Sequence, residues 1–268
     1  MRIWGRFALI AAAPLLLASC LWGPGKFNST LALHKNGTFV LDYKGEILMQ
    51  VPEDKGAGPW TPTKARCHDQ DEGKERPCSP SEIAKAKEQY ERDAAAIAEV
   101  TRKQTEEMAK LFGLPGSDDA SNRAFAAKLM KYQGWRSVAY KGKGLFDVDY
   151  HFEGRTAQDF AFPLMPDSDM VLPFITIRRR NDGAVLVTAP AFTGGSGPFG
   201  VRARAMGLPD KGDNGPPSRA EGRFTIVTDG EVLTNNSEDG PAPHALGRQV
   251  HWDVGPASAK IPEMLVRL

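Results

Sequence analysis

The chain has 268 residues, with 34 Lys and Arg against 33 Asp and Glu, and 41% of its residues are hydrophobic. A formal charge of +1 carries no basic excess of the kind a nucleic-acid partner requires, and the apolar content excludes wholesale disorder. The 27 Gly and 20 Pro favour short strands and many turns.

The chain opens MRIWGRFALIAAAPLLLASC, with Arg2 and Arg6 ahead of the apolar run Phe7 to Leu17. A membrane-spanning helix needs roughly 20 apolar residues, so residues 1–19 read as a processed export signal. The segment Leu17-Ala18-Ser19-Cys20 resembles the lipobox of bacterial lipoproteins. That resemblance implies cleavage before Cys20, a diacylglycerol on its thiol and acylation of its new amino group. Leu21, not Asp, follows the cysteine, which points to the periplasmic face of the outer membrane. Without Arg2 and Arg6 the mature chain, residues 20–268, is close to neutral. Electrostatic adhesion to anionic lipid is then not its main attachment. From Cys20 to the first predicted strand at Phe27 the chain reaches at most ~25 Å, which keeps the domain near the bilayer.

Residues 27–49 read as a β-hairpin about Asn36-Gly37, with positive φ expected at both turn residues. The following loop holds Cys67 and Cys78, an even pair once Cys20 is set aside. They are expected to form a disulfide, which closes a loop of about 12 residues and contributes ~3 kcal/mol. A metal site built from Cys67, His68, Cys78 and Asp69 or Asp71 is the alternative, although the usual C-x₂₋₄-C zinc spacing is absent.

Ser79, Pro80 and Glu82 form a capping box with proline at the first helical position. The helix they start runs unbroken to Gly113, with i,i+4 pairs expected at Glu88–Arg92, Glu99–Lys103 and Glu106–Lys110. Ile83, Tyr90, Ile97 and Leu111 recur at multiples of seven, interrupted by Gln104. This thin stripe suits packing on one side, against the chain's own sheet or a coiled-coil partner. A second helix from Ser121 to Tyr132, with Phe125 and Leu129 on one face, completes a helical arm over 79–132.

Period-two alternation returns at Trp135. The segments WRSVAY, GLFDVDYHFEG and DFAFPL read as strands, and FITIRRR with AVLVTAPAF as a hairpin over Asn181-Asp182-Gly183. Arg178-Arg179-Arg180 marks its tip, as a charged turn or a contact for lipid phosphate. Residues 193–219 read as a flexible Gly/Pro loop. It contains Gly195-Ser196-Gly197-Pro198-Phe199-Gly200, which matches G-x-G-x-x-G but lacks the βαβ context of a dinucleotide site. RFTIVT and EVLTNN read as strands around Asp229-Gly230, followed by RQVHWDV and a last strand near 264–268. The expected fold is α+β: a mainly antiparallel curved sheet of about nine or ten strands with a long helical insertion.

One strand carries candidate chemistry. Asp147, Asp149 and His151 share a face opposite Phe146, Val148, Tyr150 and Phe152. Two carboxylates and an imidazole at i, i+2, i+4 can hold a metal or run acid/base chemistry, or they can be the wet face of an antiparallel strand. No G-x-S-x-G, S-x-x-K or H-E-x-x-H occurs, and no cofactor is expected.

The blocks PGKFNSTLALHKNGTFVLDYKGEI, GWRSVAYKGKGLFDVDY and TIVTDGEVLTNNSEDGP resemble a group of uncharacterised alphaproteobacterial lipoproteins. That resemblance brings no residue roles beyond Cys20. The order of lipobox, Asn-Gly hairpin, helical stretch and late strands is also similar to mycobacterial LppM-type lipoproteins, whose curved β-sheet domain is associated with lipid binding. The expected function is a non-enzymatic envelope lipoprotein that binds a lipid or amphiphile, or an envelope protein through helix 79–112. The alternatives are an envelope glycan or lipid hydrolase or transferase using Asp147, Asp149 and His151, and an assembly factor acting through the long helix.

Overall fold

The computed structural model describes residues 23–49, 58–68, 75–111, 113–116, 118–164, 173–194 and 219–268. The export signal, Cys20, Asp69, Asp71, the G-x-G-x-x-G motif and nearly all of the 193–219 loop lie outside the described residues. Contacts group the chain into two compact units, one of Met1–Pro52 with Met108–Leu268 and the other of Glu53–Glu107.

The larger unit begins with β1 (Gly23–Leu33) and β2 (Thr38–Leu48), joined at Asn36-Gly37. Only Gly37 of that pair takes positive φ (+81°), where the expectation was both. Asn36 instead holds the turn with its carboxamide oxygen, which accepts from the Thr38 N–H at 2.9 Å and the Thr38 hydroxyl at 2.7 Å. The small unit supplies β3 (Cys67–His68) and β4 (Glu75–Arg76). Helix α1 (Pro80–Leu111) follows, and α2 (Asp119–Leu129) belongs to the larger unit.

Alternation then builds β5 (Trp135–Gly142), β6 (Leu145–Arg155), β7 (Phe160–Phe162), β8 (Ile175–Arg179) and β9 (Val185–Thr188). The chain closes with β10 (Glu221–Thr228), β11 (Glu231–Asn235), β12 (Ala242–His244), β13 (Gly247–Val254) and β14 (Glu263–Arg267). The described strands number 14, more than the nine or ten expected. The additional elements include β3, β4 and β12, each three residues or fewer and too short to show a period.

Two open sheets form the larger unit. The first has seven strands in the order β12-β13-β10-β1-β2-β6-β5, and the second has five in the order β11-β14-β9-β8-β7. Most pairs are antiparallel, but β1 and β10 run parallel at the centre of the first sheet. β10 and β11, on either side of Asp229-Gly230, do not pair with each other. The tight turn at Asp229-Gly230 carries the chain from one sheet to the other.

The inner faces of both sheets meet in one apolar core. Phe27 stacks on Phe192 at 4.2 Å between ring centroids, and Phe162 meets Tyr150 at 4.5 Å and Tyr43 at 5.1 Å in tilted contacts. Tyr43 has no exposed surface, its hydroxyl donates to the Glu46 carbonyl at 2.8 Å, and burial pushes its pKa well above the ordinary tyrosine range. Asn236 joins the sheets at one corner. Its Oδ1 accepts from Trp252 Nε1 of the first sheet and from the Glu263 N–H of the second, each at 3.0 Å. Helix α2 buries Phe125 and Leu129, as its apolar spacing predicts, with Phe125 edge-on to Phe146 of β6.

Close backbone approach beside β1 demands glycine at position 45. Its φ is +149°, and a Cβ there would overlap the Lys26 carbonyl oxygen and stand 2.6 Å from Phe27 Cα. This spot faces the register shift of β1 between Pro24 and Phe27. Gly45→Ala is therefore expected to lower the unfolding free energy by ~1–3 kcal/mol in urea titrations. Gly23→Ala meets nothing within 4 Å and should change it by less than ~0.5 kcal/mol.

Candidate functional site

β6 turns Asp147, Asp149 and His151 to the outer face of the seven-stranded sheet, as its alternation predicts. Phe146, Val148 and Tyr150 are buried on the inner face. The three polar side chains do not converge. Asp147 lies 3.8 Å from Lys141 of β5, and Asp149 Oδ2 lies 3.2 Å from Lys44 of β2. The other Asp149 oxygen is buried without a hydrogen-bond partner, although the side chain as a whole is 29% exposed.

His151 sits between two further carboxylates that the sequence reading did not connect to it. Its Nδ1 is 2.7 Å from Asp42 Oδ1 and its Nε2 is 3.3 Å from Glu153 Oε1. Asp42 comes from β2, directly opposite His151 in the ladder. Glu153 is two residues along the same strand and continues the i+2 series, so alternation alone could have found it. Asp42 could be found only from the β2–β6 register.

This geometry limits the chemistry. A histidine that activates a Ser or Cys nucleophile must aim one ring nitrogen at it. Both nitrogens of His151 face carboxylates. Among the described residues, no group of three His, Cys, Asp or Glu side chains is placed to hold a metal ion. The face carries two cross-strand ion pairs, Lys141–Asp147 and Lys44–Asp149, beside the His151–Asp42 hydrogen bond.

The small unit has its own arrangement. Cys67 and Cys78 are joined as a disulfide with Cα atoms 5.3 Å apart, so neither sulfur is free to act as a thiolate ligand. The capping box forms as its motif predicts: Glu82 Oε2 accepts from the Ser79 N–H and hydroxyl, each at 2.8 Å. Arg76, two residues before Cys78, adds a bidentate pair to the same carboxylate at 3.0 and 2.6 Å. The Arg76 and Ser79 hydrogen bonds lower the Glu82 pKa to about 2. Tyr90 of α1 packs on Trp60 at 5.3 Å, and its hydroxyl accepts from Lys64 Nζ at 2.7 Å.

Along α1 the expected Glu88–Arg92 and Glu99–Lys103 pairs form at 2.8 and 3.3 Å, while Glu106 takes Arg102 at 2.6 Å in place of Lys110. Arg102 reaches both Glu99 and Glu106, and its fork geometry suits two carboxylates better than a lysine does. Ile97 and Val100 are 60% and 55% exposed.

No protein-family model matches the chain, and no curated protein matches it significantly.

Asp149→Asn and His151→Asn are each expected to shift the unfolding free energy by less than ~1 kcal/mol, because partly exposed ion pairs contribute little. Addition of zinc should leave the thermal midpoint unmoved. Glu82→Gln should speed hydrogen exchange in the first turn of α1 and leave the sheets unchanged. Because the folded Glu82 pKa is depressed, its contribution is fully present above the ordinary value of 4.5 and is lost as pH falls through about 2. Protection of the first-turn amides of the wild type, corrected for intrinsic exchange, should therefore fall as pH drops through that window, and that of the Gln variant should not.

Proposed function

We propose that the chain is an exported lipoprotein, acylated on Cys20, that holds a binding domain at the periplasmic face of the outer membrane and acts without catalysis. The observation that carries this reading is the coincidence of the export signal and lipobox with a disulfide in the domain behind them. Disulfides persist in oxidising compartments, which suits a chain that has left the cytosol. Among the described residues no helix is long and apolar enough to cross a membrane, and β1 begins three residues after Cys20. An acyl anchor supplies the membrane attachment in this reading, since each buried methylene contributes ~0.8 kcal/mol.

The partner is a polar macromolecule of the envelope. An amphiphile ligand would need an open apolar sheet face, and the two described sheets turn theirs toward each other. The charged ladder on β6 lacks the convergence that the hydrolase alternative needs. In this account α1 is a helical arm inserted in the sheet domain, and its exposed Ile97 and Val100 make it a second contact surface.

Mass spectrometry of the N-terminal tryptic peptide tests the anchor. A peptide running from Cys20 to Lys26 that carries a diacylglyceryl group and an amide-linked acyl chain is the expected result. A free Cys20 thiol, or a peptide that still holds residues of the leader, would sink the reading.

A further inference from the structure

The strand registers give the two sheets a common polarity. β1 starts at Gly23, and its last residue, Leu33, lies level with Phe39 and Thr228. Thr38 pairs with Arg155 and Thr228 with Arg248, so these positions share the end remote from Gly23. In the second sheet Arg179 pairs with Val185, Val185 with Val266, and Arg267 with Glu231. The sheets meet at this same end. The Lys35 N–H donates to Asp229 Oδ1 at 2.7 Å, and a Cβ on Gly230 would stand 2.7 Å from the Arg267 carbonyl oxygen.

Basic side chains collect there. Arg155, Arg178, Arg179, Arg180, Arg248 and Arg267 are all exposed. Three of them already hold carboxylates: Arg178 lies 3.9 Å from Asp159, Arg180 3.6 Å from Asp182 and Arg267 2.8 Å from Glu231. Among the described residues no ion pair engages Arg155, Arg179 or Arg248, and the acid beside them, Asp229, is held by the Lys35 backbone. Lys35 adds a further exposed cation. An open hollow of about 400 Å³, lined by Arg180, Asn181 and Asp182, lies at the β8–β9 turn. Leu246 is the one large apolar side chain exposed among the described residues of these turns.

We infer that this end is a docking surface for an anionic polysaccharide bearing carboxylate groups. Guanidinium groups pair with carboxylates, as Arg178, Arg180 and Arg267 already do here through single contacts, and a second carboxylate oxygen can add a bidentate fork at the arginines that hold none. A protein partner would call for aromatic or apolar anchors at the centre of the contact, and a single-stranded nucleic acid for aromatic stacking platforms. The described turns at this end offer a single exposed leucine, Leu246, and no exposed aromatic ring. The surface deepens the function proposed above and rests on the acyl anchor only for its orientation. β1 has 11 residues at ~3.3 Å each, so the basic end stands ~35 Å beyond the tethered end. Lipid phosphate of the anchoring membrane is then out of its reach.

The test is binding of the purified mature protein to polygalacturonate at low and physiological ionic strength. Phosphorylated mannan, neutral dextran and single-stranded DNA serve as comparison polymers. Polygalacturonate should bind, with affinity falling as salt rises, and dextran should not. Arg155→Gln, Arg179→Gln and Arg248→Gln together should weaken binding by about tenfold or more, with an unchanged circular dichroism spectrum. Lys141→Gln with Lys143→Gln at the other end should weaken it by less than about twofold. Equal losses from the two sets, tighter binding of the mannan or DNA, or no binding of polygalacturonate would overturn the inference. Polymer binding by a protein without N-terminal lipid would retain the surface and remove the anchor, and a lipidated protein that ignores the polymer would do the reverse.

Discussion

The packing of the two sheets through aromatic rings is the constraint on which the rest of the larger unit depends. Phe27 and Tyr43 on the first sheet, Phe162 on the second and Phe192 in the turn after β9 interlock at centroid distances of 4.2 to 6.5 Å. Each sheet alone would leave a broad apolar face in water. Together they remove those faces, and the remaining polar requirements are met in place: Tyr43 donates to the Glu46 carbonyl and buried Ser29 to the Asp42 carbonyl. Gly45 lets β2 approach β1 closely enough for this seal, and Asn236 pins the corner between the sheets.

Function then falls to the outer surfaces. On the outer face of β6, Asp147 and Asp149 pair with lysines across strands, whereas among the described residues no ion pair engages Arg155, Arg179 or Arg248 at the end opposite β1's start. β1 begins three residues after Cys20 and runs from there toward the basic end, which makes one directional arrangement. In the proposed reading this orientation is what a lipid anchor supplies: it presents the far turns to the compartment and keeps the near turns at the bilayer.

Local features were legible in the sequence. The Ser79–Glu82 box, the cysteine pair, the buried face of α2 and the inward and outward residues of β6 each follow from one short segment and one rule. What stayed hidden depends on distant partners. Alternation tells which side of a strand is buried but not what buries it, so the second sheet was not separated from the first. The parallel β1–β10 pair joins segments nearly 200 residues apart, as the 194-residue separation of Lys35 and Asp229 shows. The Asp229-Gly230 turn has hairpin composition yet carries the chain from one sheet to the other, because the dipeptide does not specify which strand the next segment pairs with. Asp42 reaches His151 only through the β2–β6 register, which no turn encodes.

The apolar faces of the two described sheets are spent on each other, so no amphiphile is expected to be held between them. Native mass spectrometry of the mature protein, released from detergent and compared before and after chloroform extraction, tests it directly. The account predicts the polypeptide mass with its disulfide and covalent acyl chains, unchanged by extraction. An additional mass of a phospholipid or other amphiphile that survives release and disappears on extraction would contradict it.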